Sequence, residues 1–273
     1  MRKDAVLERR TMPKATDRKA RTASKARLHD RIVETLGRRI VCGEIEPGAS
    51  LGNETTTGET LNASRTATRE ALKILGSKGL IESRPRVGTI VREREAWSLL
   101  DPKVLEWSLQ DPSQSSRTMA EIYVFRMAFE PFAAALAAAN RTEADLKNIR
   151  RALRGMATYV DSSDRAEFDL AFHKAILRAT GNKLFFAVDE LISVALRHIF
   201  RTGFEATPEE DERWLHRHRA VADAIENGDA EGARDLMLGL LNEAQDNEAE
   251  RRRRARDESR RQREARDDAG RSG

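Results

Sequence analysis

The sequence predicts a mainly α-helical protein of two domains, with a short β-hairpin at the end of the first. Apolar residues recur at helical spacing through most of residues 29–245, and two strand-like runs flank a single turn near residue 86. From residue 96 onward no segment alternates as a strand does. A chain of 273 residues is long enough for two domains of ordinary size.

Charge is unevenly distributed along the chain. Residues 1–28 carry ten Lys/Arg against three Asp/Glu, and residues 246–273 carry ten Arg against eight acidic residues. Both ends have too few large apolar residues to offset the entropy lost on ordering. We therefore expect residues 1–28 to form a disordered basic arm and residues 246–273 a charged tail, disordered or helical. The arm either contacts a polyanion or only aids solubility.

Several protein classes are excluded by composition. A single cysteine, Cys42, rules out an internal disulfide and any multi-cysteine metal site. No run approaches 18 apolar residues, so we expect no membrane-spanning helix and no membrane partner. The basic start lacks an apolar stretch, so no signal peptide is expected. Together these features predict a cytoplasmic protein.

The first helix should run from about residue 30 to residue 42. Apolar residues from Ile32 to Val41 recur at helical spacing, with Asp30 as a possible N-cap and Gly43 as a possible end. A second helix should start near residue 53. It is weakly predicted, because threonines and glycine are poor helix formers.

The third helix is the clearest element of the segment 29–95. Ser64 is a good N-cap, and Arg65, Arg69 and Lys73 share one exposed face. Guanidinium groups near a helix start suit phosphates and the edge of guanine. Residues 80–84 and 89–92 then form two short strand-like runs joined by a turn that carries two arginines.

This order of elements is typical of a winged helix-turn-helix. The strings SRTATREAL at 64–72, KGLI at 78–81 and RPRVGT at 84–89 resemble the N-terminal domain of the GntR superfamily of bacterial transcription regulators. The resemblance implies double-stranded operator DNA as a partner. It departs at Thr55 and Thr57, where family members usually carry an Arg that contacts DNA and a Leu that anchors the core. The candidate DNA-binding residues are Ser64, Arg65, Thr66, Arg69, Lys73, Arg84, Arg86 and Gly88.

Residues 96–245 predict an all-helical bundle. N-caps and apolar faces predict a first helix that starts at residue 102, a second over 118–139 and a third that starts at 142. Four more helices are predicted over 164–179, 184–201, 208–227 and 229–244. Arg126 falls in the middle of the apolar face of the second of these helices, with Glu130 one turn on. A buried guanidinium must be paired. It forms either an ion pair with Glu130 or a clamp for a small carboxylate or phosphate.

Three further polar residues fall on or beside apolar helix faces. Asp169 and His173 are four residues apart, so both can reach one metal ion, although a salt bridge is the ordinary alternative. His218 lies within an apolar face, where a hydrogen-bonded core histidine is the ordinary alternative. Together the three offer an O,N,N site with open positions for an acid ligand.

The strings that surround these residues resemble the FCD ligand-binding domain, which defines the FadR-type branch of that superfamily. They are YVFR at 123–126, DLAFH at 169–173, TGN at 180–182, HRAV at 218–221 and NGDA at 227–230. The resemblance implies a divalent metal, Zn²⁺ with Ni²⁺ or Mn²⁺ as alternatives, held by Asp169, His173 and His218. It implies a small carboxylate effector near Arg126, Glu130 and Asn182.

One family feature is missing. Many members supply a further His in the last helix, and that position is Leu240 here. His198 is a possible substitute, but no pattern directs it inward. The strings WSLLD at 97–101 and VLEW at 104–107 look like the subgroup of galactonate-type sugar-acid repressors, which also tend to lack this His. This similarity favours an aldonate or ketoaldonate as effector.

The leading hypothesis is a ligand-released repressor that binds its operator as a homodimer, in the cytoplasm and associated with the nucleoid. The alternatives are an effector-blind DNA-binding dimer and a metal-dependent enzyme that acts on small acids. We expect no enzyme, because no acid or base group stands at a useful spacing from the Asp/His residues.

Overall fold

The computed structural model of the chain describes residues 15–158, 162–201 and 207–271. The chain divides into two compact units after Gln110. The first unit is a helical domain with a three-stranded antiparallel sheet of order β1-β3-β2. Its elements are α1 (Ala15–Val41), β1 (Ser50–Gly52), α2 (Glu54–Thr60), α3 (Arg65–Ser77), β2 (Ile81–Arg84), β3 (Gly88–Val91), a 3-10 turn (Arg94–Ala96) and α4 (Pro102–Gln110).

The fold of this unit agrees with the predicted winged helix-turn-helix, with two differences, in α1 and β1. Helix α1 begins at Ala15, so residues 15–28 of the expected disordered arm are helical, while residues 1–14 lie outside the described residues. Alanine, lysine and arginine are good helix formers, and no Gly or Pro interrupts this stretch. Strand β1 was not predicted, because three residues are too short for a visible alternation.

Helix α4 packs within the first unit, and this moves the domain boundary predicted at residue 96. The Trp107 side chain is completely buried, and its indole N–H donates to Glu34 at 2.8 Å. Gly37 makes room for it, since a Cβ at that position would lie 2.3 Å from the Trp107 ring. Residues 96–110 therefore belong with the first unit, because their aromatic anchor is buried against α1.

The second unit is helical throughout its described residues. An apolar core joins five of its helices and contains Ala134, Ile149, Phe172, Val221 and Leu241. Its elements are α5 (Ser115–Asn140), α6 (Glu143–Thr158), α7 (Ser162–Ala179), α8 (Lys183–Phe186), α9 (Asp189–Arg201), α10 (Pro208–Asn227) and α11 (Ala230–Arg271).

Two helix boundaries differ from the prediction. The single helix predicted over 184–201 is two helices, α8 and α9. Helix α11 runs to Arg271 instead of ending near residue 244, so the described part of the tail is helical. Ion pairs one turn apart support the extension: Glu248 with Arg252 at 2.7 Å, and Glu250 with Arg254 at 3.1 Å.

Helix α5 is long and apolar enough to span a membrane by length and composition alone. Its most apolar 18-residue window has a mean hydropathy of 1.4, and half of that window is buried inside the protein. Arg126 and Glu130 are both buried on this helix. The prediction that the chain has no membrane partner stays a prediction.

Candidate DNA-binding face and candidate metal centre

Helix α3 is built to present one basic face. Ser64 has extended backbone, and its hydroxyl accepts a hydrogen bond from the Ala67 N–H at 3.3 Å, which starts the helix. Ala67, Ala71 and Leu75 are buried. The opposite side is therefore left to solvent.

The basic residues predicted on that opposite side are exposed. Glu70 lies among them, 3.8 Å from the Arg69 guanidinium and 3.3 Å from the Lys73 ammonium. Exposed pairs of this kind are weak, so both cations remain available to a phosphate or base. The exposed predicted residues of α3 are Arg65, Thr66, Arg69 and Lys73.

The wing carries the other two predicted arginines. Arg84 is exposed and pairs with Glu82 at 2.6 Å. Arg86 is exposed at the tip with a left-handed backbone, φ +65°. Gly88 serves the strand packing instead, since its φ is +98° and a Cβ there would lie 2.7 Å from the Gly52 carbonyl oxygen. Only a glycine fits this close approach. Strand packing by itself therefore explains the glycine at a position that the sequence analysis placed among the DNA-binding candidates.

The structure accommodates the departure from the family pattern at Thr57 in α2. Thr57 is buried, and its hydroxyl donates to the Leu51 carbonyl at 2.8 Å. Gly58 lies against Thr68 of α3, where a Cβ would come within 3.0 Å of the hydroxyl oxygen. A small, hydrogen-bonded threonine thus occupies the position at which the family usually buries a leucine.

In the second unit, helices α7 and α10 bring the three predicted metal ligands together. One ligand atom each from Asp169, His173 and His218 lies within 4.8 Å of the other two. The Asp169 Oδ1 is 2.9 Å from His218 Nε2 and 3.8 Å from His173 Nε2. All three side chains are buried. The i, i+4 spacing on α7 therefore does place both of its ligands toward α10.

The hydrogen bonds around the two imidazoles determine which nitrogens face the cluster. His218 Nδ1 is 2.8 Å from the Trp214 carbonyl, which can only accept, so Nδ1 carries a proton. His173 Nδ1 is 2.5 Å from the Glu130 carboxylate and donates to it. With the proton on Nδ1, the neutral form of each ring turns its Nε2 lone pair toward Asp169.

Three electron-pair donors therefore converge in a buried space. Asp169 Oδ1 and His218 Nε2 are close, yet neither has a hydrogen bond of acceptable geometry within the described part of the chain. Tetrahedral Zn²⁺ with bonds of about 2.0 Å separates its ligand atoms by about 3.3 Å. The observed separations of 2.9 and 3.8 Å lie on either side of that value, so these residues fit a divalent metal.

Glu130 lies behind the cluster and joins it to Arg126. One carboxylate oxygen accepts from Arg126 Nε at 2.5 Å, and the other accepts from His173 Nδ1 at 2.5 Å. Burial raises the pKa of Glu130, but the charges of Arg126 and His173 outweigh it and lower this pKa to about 2. Burial likewise raises the pKa of Asp169, and its histidine neighbours bring it below the ordinary value. Both carboxylates are therefore ionised.

A recess opens above the cluster. It encloses about 600 Å³, part of which is open solvent, and its walls combine the cluster with apolar side chains. Arg126 lines it, and the ion pair through Nε leaves other guanidinium donors that can reach a ligand. The lining also includes Tyr123, Asp169, His173, Leu196, Ile199, Phe200, Trp214, Arg217, His218, Leu240, Asn247 and Arg251.

Comparisons with known proteins agree with both units. Residues 28–91 match the family described as "Bacterial regulatory proteins, gntR family", and residues 121–243 match the FCD domain. The chain is 33% identical over 217 residues to the galactonate operon transcriptional repressor of Escherichia coli, a match that covers 78% of this chain and 93% of that protein. The chain belongs to the GntR family.

A second relative and one solved structure are also similar to this chain. The HTH-type transcriptional regulator YieP of Escherichia coli is 31% identical over 222 residues, 80% of this chain and 94% of that protein. The fold resembles a solved structure of Lar, which controls the expression of the Listeria monocytogenes agr system, with a TM-score of 0.53, 18% identity, and coverage of 81% of this chain and 96% of that one. This GntR-family protein is thus a DNA-binding transcription regulator and not an enzyme, and such a bacterial regulator resides in the cytoplasm.

Two residues predicted at the effector site, and the possible substitute metal ligand His198, lie elsewhere in this regulator. Asn182 is exposed, and its side chain caps α8 by accepting from the Leu184 N–H at 3.0 Å. Glu130 is not part of the recess lining and contacts His173 instead. His198 is buried outside the cluster.

Sequence reasoning missed other residues that line the recess. Arg217, Asn247 and Arg251 were not among the predicted site residues. Arg217 lies on α10, one residue before His218, whereas the signal for Asn247 and Arg251 was that α11 could continue past residue 244. Leu240 does line the recess, at the position where many members have a histidine.

Proposed function

We propose that this GntR-family regulator is a repressor, and that a small carboxylate, a sugar acid, releases it from its operator. The observation that carries the proposal is the convergence of Asp169, His173 and His218 at a recess that Arg126 also lines. A divalent metal held by these three residues would supply positive charge to an acid effector. The relative that represses the galactonate operon supports the sugar-acid class.

The DNA side of the proposal rests on α3 and the wing. Arg65, Arg69 and Lys73 would contact bases and phosphates in the major groove, with Arg84 and Arg86 beside them. A homodimer would present two such surfaces to a two-fold symmetric operator and keep the protein on the nucleoid. An effector can release DNA only by binding better to the arrangement that does not fit the operator.

The role of Arg126 distinguishes two hypotheses, an effector-responsive regulator and an effector-blind dimer. Its ion pair with Glu130 gives it a structural role that needs no ligand, and this observation favours the second reading. Arg126→Ala should lower stability, because Glu130 loses its partner, but the folded variant should still bind the operator and should not be released by sugar acids. Arg117→Ala, on the exposed face of the same helix, is the matched control and should behave as wild type.

The test starts from duplexes selected from a random pool by the full-length protein. Fluorescence anisotropy then measures release as sugar acids are added to the complex. If no acid releases wild-type protein, the effector-blind reading holds. If Arg126→Ala still responds at the wild-type concentration, Arg126 is not the clamp.

Metal binding is tested by elemental analysis of purified protein. His218→Ala should lower the metal content, whereas His216→Ala, exposed two residues earlier on α10, should not. Equal metal in His218→Ala and wild type would make His218 a core residue only.

A further inference from the structure

The last helix continues beyond the FCD domain and lines the recess there. The FCD match ends at residue 243, yet Asn247 and Arg251 are part of the lining. Leu240 and Arg251 are eleven residues apart on α11, which is about 16 Å along a helix axis. The lining residues of α11 are Leu240, Leu241, Glu243, Ala244, Asn247 and Arg251, and their spacing places them along one side of the helix.

The extension is held in place by buried polar contacts. The Tyr123 hydroxyl of α5 donates to the Ala244 carbonyl at 3.2 Å. One turn later Glu248 is only 7% exposed, which requires partners for its carboxylate. Those partners are Arg252 at 2.7 Å and Arg251 at 3.6 Å. The first turns of the extension are therefore a fixed wall and not a solvated tail.

Along this wall, the ion pairs among the described residues join three arginines to two glutamates. The single carboxylate of Glu248 faces two guanidinium groups, and the shorter contact is with Arg252. Arg217 of α10 pairs with Glu243, so that pair is neutral. The Arg251 side chain is 28% exposed and lines the recess, and a guanidinium carries five N–H donors.

The chemistry of the recess differs between its two ends. Arg126 and the Asp/His cluster form one polar end, and Leu240 marks the family's metal-ligand position on α11. Arg251 lies three turns farther along the same helix. The apolar part of the lining includes Leu196 and Ile199 of α9. A ligand that satisfies both ends carries an acidic group at each.

We propose that the C-terminal extension is part of the effector site, and that Arg251 binds a second anionic group at the far end of the effector. The effector class is then a small acid with two anionic ends, the second a carboxylate or a phosphate. This inference rests on the proposed function, since it concerns the ligand of the same recess. It makes Arg251 a specificity-determining residue that lies outside the family domain.

The test is a binding series on the full chain, loaded with zinc, measured by isothermal titration calorimetry. The probes are three acids with the same six-carbon skeleton: an aldonate, the corresponding aldarate, and the aldonate phosphorylated at its last carbon. Wild type should bind at least one of the two acids with anionic groups at both ends about tenfold more tightly than the aldonate. Whichever of these two acids binds more tightly then identifies the second group as a carboxylate or a phosphate.

Substitutions test whether Arg251 causes the preference for an acid with a second anionic group. Arg251→Gln should remove the preference by weakening the acids with two anionic ends far more than the aldonate. Arg251→Lys should keep part of the preference because the charge remains. Arg253→Gln is the matched control, since that side chain is 73% exposed and pairs with Glu250, and it should behave as wild type. Thermal melts without ligand show whether each variant is folded.

Two failures are distinguishable. If wild type binds none of the acids, the proposed function fails and this inference with it. If wild type binds acids but shows no preference for an acid with a second anionic group, or if Arg251→Gln keeps the preference, only the role of Arg251 is overturned.

Discussion

Replacing Glu130 by glutamine tests how the buried cluster is held together. The substitution keeps the shape of the side chain and removes its charge. Glu130 and Arg126 are each 2% exposed, and their atoms are 2.5 Å apart, so the loss leaves a buried guanidinium without its counter-charge. Two unit charges about 4 Å apart interact by about 4 kcal/mol at an effective dielectric constant of 20. Breaking buried pairs typically costs about 3–5 kcal/mol.

We therefore expect Glu130→Gln to lower the free energy of unfolding by about 3 kcal/mol or more in urea titrations with EDTA present. Because Glu130 also orients His173, zinc affinity should fall about 10- to 100-fold. Glu226→Gln is the matched control: its carboxylate pairs with Arg150 at the surface, and it should leave both measurements unchanged. The reasoning would be refuted if Glu130→Gln lowered the free energy of unfolding by less than about 1 kcal/mol and bound zinc with wild-type affinity.

Three other predictions concern the DNA-binding unit. Arg69→Ala should weaken operator binding by about 1–3 kcal/mol and relax specificity at one base pair, measured by anisotropy on mutated operators; unchanged binding would remove Arg69 from base recognition. Thr55→Arg restores the arginine that the family usually carries and should steepen the salt dependence of binding by about one unit of log–log slope, and an unchanged slope would count against a phosphate contact there. Gly37→Ala should cost about 1–3 kcal/mol, because its Cβ would lie 2.3 Å from the Trp107 ring. Gly76→Ala, whose Cβ would meet only the Ile81 carbonyl at 3.7 Å, should be neutral or stabilising in the same urea titration.

Helix positions were predictable wherever a cap and an apolar stripe coincide. The Thr207-Pro208 start is a complete capping box in the structure, and α10 ends at Gly228 with φ +75°. Ser64 caps α3 as predicted. These signals are local, because a cap satisfies backbone groups within its own first turn. By contrast, α1 and α11 extend beyond their predicted ends, since chains rich in alanine, arginine and glutamate carry no stop signal.

The metal-ligand candidates were also visible in the sequence, but their surroundings were not. The i, i+4 pair of Asp169 and His173 and the His218 on an apolar face are patterns of single helices. That Glu130 orients His173 depends on a contact between residues 43 positions apart. No local spacing encodes such a contact, so Glu130 was assigned to the effector instead.

For this protein, the order of residues alone determines two domains, the basic face of α3 and three buried polar residues on apolar helix faces. The periodicity of apolar residues is sufficient for this because it indicates which face of a helix is buried. Which helices those faces meet was decided only by tertiary packing. Packing placed α4 against α1, brought His218 to Asp169, and laid the extension of α11 along the recess, where Arg251 became part of its wall.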